Sequence, residues 1–231
     1  VSNVTGAEND IDGIGKLLKD TNAVFLVDGA QAAGHIPLNV ESQNIDALCV
    51  PSHKGLLGIV GAGAIISSGK RKIRPFAFGG TGFDTFSESM PEDEPESLEA
   101  GTLNLPAILS MKEGVDYLSD NIDYVSTRLK YLTEYFISEL SLRPYVKLYS
   151  IPNKSGIVAF SHNDFSSQTL SELLSENFDI ATRGGFHCAP LMHRFLNTEK
   201  LGIVRASLSP QNTRKEINAF LSALGELSHS V

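Results

Sequence analysis

The sequence contains no tryptophan, two cysteines and three methionines in 231 residues. Its longest apolar runs, AVFLV and GAGAII, fall far short of the roughly 20 residues a membrane-spanning helix needs, so no membrane partner is expected. Cys49 and Cys188 are distant in sequence and neither lies in a Cys-x-x-Cys pair. That excludes a disulfide framework and a structural zinc site, and it points to a reducing cytoplasm. An excess of basic residues is also missing. The net charge is −8, from 19 Lys and Arg against 27 Asp and Glu, which argues against a nucleic-acid surface. A small molecule or a protein is the expected partner. No charged-then-apolar leader suggests secretion, so the sequons at Asn3 and Asn153 read as chance matches. The chain opens without Met, on VSNVTGAEND, which reads as the middle of a domain, and an N-terminal portion is expected to be missing.

What is present is a globular balance, 42% hydrophobic and 20% charged. Ile11, Ile14, Leu17 and Leu18 fall on one helical face. Apolar runs follow at 23–27, 45–50 and 62–67, and short runs of this kind predict mainly parallel strands buried on both faces. The consequence is an α/β sheet whose ligands gather at the carboxyl ends of its strands. From Gly79 to Glu99 the sequence is polar and acidic, which predicts a solvated loop that can also serve as a lid or an arm. Pro106 suits the first turn of a helix, and Ile122, Val125, Leu129, Leu132, Phe136 and Leu140 recur at three- and four-residue steps. Beyond residue 146, strands VKLYSI, GIVAFS, DIATR and GIVRASLS alternate with helices near 167–176, 190–196 and 213–228. The last helix opens on a capping box, Thr213 to Glu216. The expected domains are 1–120, a large α/β domain lacking its N-terminal part, and 121–231, a linking helix and a smaller α+β domain.

Several residues could carry chemistry. Asp28 ends the most hydrophobic strand, where it either presents a carboxylate to a ligand or caps a following helix. Gln31 could cap reciprocally or donate a hydrogen bond into the same space. Lys54, in CVPSHKGLLG, also follows a strand. A solvated lysine, a phosphate clamp and a nucleophile are the three readings, and the Walker order excludes the clamp because here the glycines follow the lysine. A carboxylate and a lysine at neighbouring strand ends are what pyridoxal phosphate requires: an amine to form a Schiff base and an acid to keep the ring nitrogen protonated. Cys188, in RGGFHCAPLMH, is either a small buried hydrophobe or a nucleophile whose thiolate is favoured by Arg183 and His187. Cys49, inside an apolar strand, reads as structural.

SNVTG, VDGAQAAGHIPLNV, SHKGLLG, EAGTLN and RGGFHCAPLMH, in this order, resemble the cysteine desulfurase branch of the class V aminotransferases, which are fold-type I pyridoxal phosphate enzymes. The likeness covers essentially the whole chain. It implies that Lys54 is the Schiff-base lysine and Asp28 the partner of the pyridinium nitrogen. Gln31 would bond the ring hydroxyl, His53 would contact the phosphate, and Asn3 would lie near cofactor and substrate. Thr102 would reach the phosphate of a neighbouring subunit, which implies a homodimer. Arg205 would hold the substrate carboxylate, with Arg183 as a second active-site arginine.

The implied reaction converts L-cysteine to alanine. Lys54 acts as base, and Cys188 takes the sulfur as a persulfide destined for an acceptor protein. His53 and His187 are candidate proton carriers. The alternatives are selenocysteine lyase, class V transamination or a non-catalytic homologue. Three features depart from the family pattern. Pro51 offers neither hydroxyl nor N–H, so a phosphate contact is lost unless Ser52 supplies it. Gly184 and Phe186 replace the Thr and His of better-known members. The short start predicts weak cofactor binding by these 231 residues alone.

Overall fold

A computed structural model describes residues 1–82, 84 and 86–229, in two compact units. One, the sheet unit, comprises Ile11–Ala30 and Leu38–Ser119. The other, the C-terminal unit, comprises Val1–Asp10, Gln31–Pro37 and Asp120–Val231. Phe83 and Thr85 of the acidic loop lie outside the described residues.

In the sheet unit, helix α1 (Ile11–Leu18) precedes strands β1 (Leu26–Asp28), β2 (Ala47–Pro51) and β3 (Gly63–Ser67), ordered β1-β2-β3. β1 and β2 run parallel, Leu26 beside Ala47 and Asp28 beside Cys49. β2 and β3 run antiparallel, Ala47 beside Ser67 and Pro51 beside Gly63. The expected mainly parallel sheet is therefore mixed. The reason lies in residues 52–62, which contain no crossover helix, so the chain returns beside the strand it has just left. Burial on both faces is also not found. Val27, Leu48 and Val50 are buried, whereas Leu26 and Ile65 on the opposite face are 63% and 57% exposed. Nor is the apolar face of α1 covered, since Leu17 is exposed. This helix instead approaches its neighbour through Gly15, where a Cβ would stand 1.9 Å from the Gln43 carbonyl oxygen.

The first part of the long helix α2 (Leu105–Ser141) belongs to this unit. Gly114 permits its closest approach, because a Cβ there would meet the Leu56 carbonyl oxygen at 1.9 Å. Leu56 lies two residues beyond Lys54. Gly114→Ala is therefore expected to destabilise the unit by roughly 1–3 kcal/mol through overpacking and to loosen the turn that carries Lys54. Thermal melting checks this, and an unchanged midpoint would contradict it.

The C-terminal unit takes the remainder of α2. Val125, Leu129, Leu132, Phe136 and Leu140 are buried along one stripe, as the periodicity predicts. Against it stands an antiparallel sheet of β4 (Val146–Leu148), β5 (Ile157–His162) and β6 (Val204–Ser207), ordered β4-β5-β6, with helices α3 (Ser167–Phe178), α4 (Pro190–Leu196) and α5 (Arg214–His229). Phe220 of α5 meets Phe136 and Phe160 edge-on, with ring centroids 4.9 and 5.9 Å apart, and so joins helix, sheet and helix in one core. The expected capping box is formed: Thr213 N–H donates to Glu216 Oε2 at 2.7 Å, and Glu216 N–H donates to Thr213 Oγ1 at 3.3 Å. The expected strand DIATR reduces to a single bridge between Arg183 and Arg205. The Asn153 sequon is buried, its amide donating to the Ile151 and Ile157 carbonyls, each at 2.9 Å, so it offers no glycosylation site. Among the described residues no helix is long and apolar enough to cross a membrane, and no cluster of three metal-ligating side chains occurs.

Candidate functional site

In the sheet unit, the parallel pairing of β1 and β2 brings their carboxyl ends to one edge, where Asp28 closes β1 and the turn after β2 carries His53 and Lys54. These three, with Ala30, Cys49 and Pro51, line an open cavity of about 580 Å³ whose far wall is Ala62 to Ile65. Asp28 Oδ1 accepts the Ala30 N–H at 2.9 Å. Residues 30–36 form turns and not a regular helix, so the helix-capping alternative for Asp28 is not realised. Gly29 lets the chain turn here, since a Cβ would come within 2.7 Å of Leu48 Cδ1.

The turn beneath Lys54 is closed by its own bonds. Ser52 N–H donates to the Ala62 carbonyl at 3.0 Å, Gly58 N–H to the Ser52 carbonyl at 2.9 Å, and Leu57 N–H to the Lys54 carbonyl at 3.0 Å. The Ser52 hydroxyl donates to the Ile59 carbonyl. Ser52 is fully buried and both its donors are used inside the turn, so its work is to hold the turn that presents His53 and Lys54. Thr102 is exposed just before α2, next to a chain reversal at Gly101, whose φ is +86° and whose N–H donates to the Gly80 carbonyl at 2.8 Å.

Cys49 departs from its sequence reading. It is partly exposed, stands beside Asp28 in the strand register and lines the same cavity. Strand parity within ALCVP was the signal: with Leu48 and Val50 buried, Ala47, Cys49 and Pro51 must take the other face.

The C-terminal unit holds Asn3, Gln31, Arg183, Cys188 and Arg205. Asn3 Nδ2 donates to the His187 carbonyl at 2.7 Å, and the Asn3 carbonyl accepts from Arg205 Nη1 at 2.9 Å. One residue thus joins the segment bearing Cys188 to the strand bearing Arg205. Arg183 and Arg205 exchange both backbone bonds, at 3.1 and 2.8 Å, so two guanidinium groups stem from directly opposed positions. Like charges opposed in this way repel. Burial first, and then Arg183, lowers the pKa of Arg205, whose buried Nε has no partner among the described residues. This is the arrangement an anion would relieve. The Gln31 carbonyl lies 3.3 Å from His35 Nδ1.

Cys188 is exposed, while His187 beside it is buried and its Nε2 bonds the Ile203 carbonyl at 2.9 Å. Burial pulls the His187 pKa from 6.5 down to about 4, partly offset by the Ile203 carbonyl and reinforced by Arg205, Arg183 and His193. Its ring is therefore neutral at neutral pH, so the cationic help expected from it is not found. The bond to the Ile203 carbonyl also turns Nε2 away from solvent, whereas His53 is exposed.

The depressed pKa has a consequence for stability. Unfolded chains take up a proton near 6.5, whereas folded ones do so only near 4. Stability is complete above 6.5 and is lost as the pH falls from 6.5 to 4. Urea denaturation at stepped pH should show this loss, and His187→Asn should flatten it. An equal acid slope in the variant would contradict the assignment.

Comparison with known proteins adds to this geometry. The model of the family described as aminotransferase class-V matches residues 1–220. A probable cysteine desulfurase of Methanothermobacter thermautotrophicus is 32% identical over 235 residues, covering 99% of this chain and 59% of that protein. A cysteine desulfurase of Escherichia coli O127:H6 is 30% identical, covering 97% of this chain and 56% of that protein. Among solved structures, the apo cysteine desulfurase of Thermococcus onnurineus NA1 superposes with a TM-score of 0.92 at 27% identity, over 100% of this chain and 59% of that one. The chain thus spans less than two thirds of the length of these relatives. With fold type and sequence in agreement, the chain belongs to the class-V aminotransferase family, whose members are pyridoxal phosphate enzymes.

Proposed function

We propose that the protein is a cysteine desulfurase that converts L-cysteine to alanine and holds the released sulfur as a persulfide on Cys188. The observation that carries this reading is the common cavity of Asp28 and Lys54 at the carboxyl ends of two parallel strands. A carboxylate and a primary amine there, with small Ala30, Ala62, Gly63 and Ala64 around them, suit a flat aldehyde-bearing ring with a basic nitrogen. Pyridoxal phosphate, when bound, supplies an electron sink that stabilises negative charge at the substrate α-carbon.

The chain's own residues supply the rest. Asp28 would accept the ring N–H and keep that nitrogen protonated. Lys54 would hold the cofactor through its amine, and its Nζ would take the substrate α-proton. His53 lies on the same turn for the phosphate, with Gln31 and Asn3 as further cofactor contacts. Ser52 acts through the turn it closes. Arg205, assisted by Arg183, receives the substrate carboxylate in a bidentate fork. Cys188 Sγ then attacks the substrate sulfur: the Cβ–S bond breaks, an S–S bond forms on Cys188, and a proton completes the methyl group of alanine.

In this reading residues 1–120 belong to the large cofactor domain, and 121–231 form a linking helix and the small domain. The working form is a homodimer in which Thr102 reaches the phosphate of the partner subunit. Support comes from exposed Leu103, Leu105, Ile108 and Leu109 beside it, an apolar stretch suited to a second copy. Two free cysteines suit a reducing cytoplasm, and a protein thiol is the acceptor class for the persulfide. The test is product analysis with full-length protein, pyridoxal phosphate and L-cysteine. Alanine with sulfide supports the reading, an oxo acid would replace it with transamination, and turnover of selenocysteine alone would make it a selenocysteine lyase. Light scattering should give the mass of a dimer, and Thr102→Ala should weaken cofactor retention without dissociating it.

A further inference from the structure

We infer that His193, a residue with no role in the reading above, is the positioning residue for Cys188. The inference rests on Cys188 being the sulfur nucleophile. Phe186 to Ala189 form a tight turn, closed by the Ala189 N–H donating to the Phe186 carbonyl at 2.9 Å. Its two central residues, His187 and Cys188, have φ of +50° and +57°. Positive φ at both centres is the pattern of a type I′ turn, which asparagine and glycine favour and which strains other side chains. Cys188 thus sits in a conformation that its own side chain disfavours and the surroundings must impose.

Three bonds impose it from the sides: Asn3 Nδ2 to the His187 carbonyl, His187 Nε2 to the Ile203 carbonyl, and the closing bond at Phe186. Beneath the turn lies the ring of His193, 1% exposed. It meets the Phe186 ring edge-on at 5.2 Å and 89°, and the His187 ring at 5.9 Å and 33°. Both residues that precede the nucleophile therefore rest on it. The ring itself is oriented by its Nδ1 bond to Thr198 Oγ1, at 2.8 Å, while Thr198 N–H donates to the His193 carbonyl at 2.9 Å.

His193 Nε2 is buried and has no hydrogen-bond partner among the described residues. A leucine would fill this space without leaving a polar atom unpaired, so the imidazole is explained by what its nitrogen does for the turn. The Phe186 carbonyl is close enough to favour the protonated ring, although burial outweighs it. That carbonyl also anchors the closing bond of the turn, so the ring and the turn share one group. His193 thereby holds the geometry in which Sγ is presented, from a position where it touches neither substrate nor cofactor.

The test compares His193→Leu, His193→Gln and Thr198→Val in the full-length protein. Removing the nitrogen should lower kcat for cysteine at least tenfold while KM stays within twofold, because Arg183 and Arg205 are untouched. Glutamine, which restores an N–H, should return kcat to within threefold of the parent. The alkylation rate of Cys188 by iodoacetamide, followed by peptide mass spectrometry without cofactor, should change at least fivefold in the leucine variant and little in the glutamine one. This second readout decides the role of His193 even if the parent protein releases no alanine, an outcome that would overturn the proposed function instead. Should His193→Leu not fold, Thr198→Val keeps the ring but frees it, and a kcat and alkylation rate equal to the parent's would overturn the inference. Equal behaviour of folded leucine and glutamine variants would overturn it as well.

Discussion

Replacing Lys54 with alanine in the full-length protein should reduce alanine release from L-cysteine by at least about a thousandfold, the scale on which loss of a covalent or proton-moving group acts. The expectation follows from position. Lys54 stands three residues beyond β2, on a turn whose Ser52 donors are satisfied internally, and it faces the cavity that Asp28 shares. Among the described residues no other lysine lines that cavity, so no neighbouring amine there can substitute. The matching measurement is borohydride trapping: the parent should retain the pyridoxyl group on the peptide containing Lys54, and the variant should lose it. Retention of turnover by Lys54→Ala would remove the lysine from the mechanism and return it to the solvated reading.

Cys188→Ser should produce the second large effect, a fall of at least about a hundredfold in alanine formation with substrate binding preserved. Sulfur-to-sulfur transfer needs a thiolate, and a hydroxyl is far weaker as a nucleophile at neutral pH. Substrate affinity should survive because Asn3, Arg183 and Arg205 are joined by bonds that do not use the Cys188 side chain. A KM within about twofold of the parent and loss of the persulfide mass at residue 188 are the expected pair of results. Cys49 is the internal control of opposite kind. It lines the Asp28 and Lys54 cavity, so bound pyridoxal phosphate should shield it from alkylation.

Much of this was legible in the amino-acid order, and the limits have physical causes. The helical period of α2 located its buried stripe because 3.6-residue repetition survives whatever the tertiary surroundings are. The capping box at Thr213 and Glu216 was readable because it is local. Strand direction was not: the apolar run at 62–67 looks the same whether it pairs parallel or antiparallel, and the connection decides. DIATR read as a strand, yet only Arg183 pairs, since Gly184 closes so tightly on Ser167 that a Cβ would stand 2.3 Å from its carbonyl oxygen. At the candidate site, residue order alone put Asp28 and Lys54 at strand ends, and both line one cavity. The tie that Asn3 makes between the Cys188 turn and Arg205 spans more than 180 residues, and no local pattern encodes it. The same holds for His193, whose place beneath Phe186 and His187 depends on where α4 packs.

The central claim is that Lys54 and Cys188 serve one reaction. A single turnover of the full-length protein, loaded with pyridoxal phosphate and given one equivalent of L-cysteine, tests it most directly when alanine and the Cys188 peptide mass are followed together. Alanine and a persulfide on Cys188 should appear in equal amounts, and neither should appear with Lys54→Ala. Alanine formed without sulfur on Cys188, or an oxo acid in its place, would contradict the account.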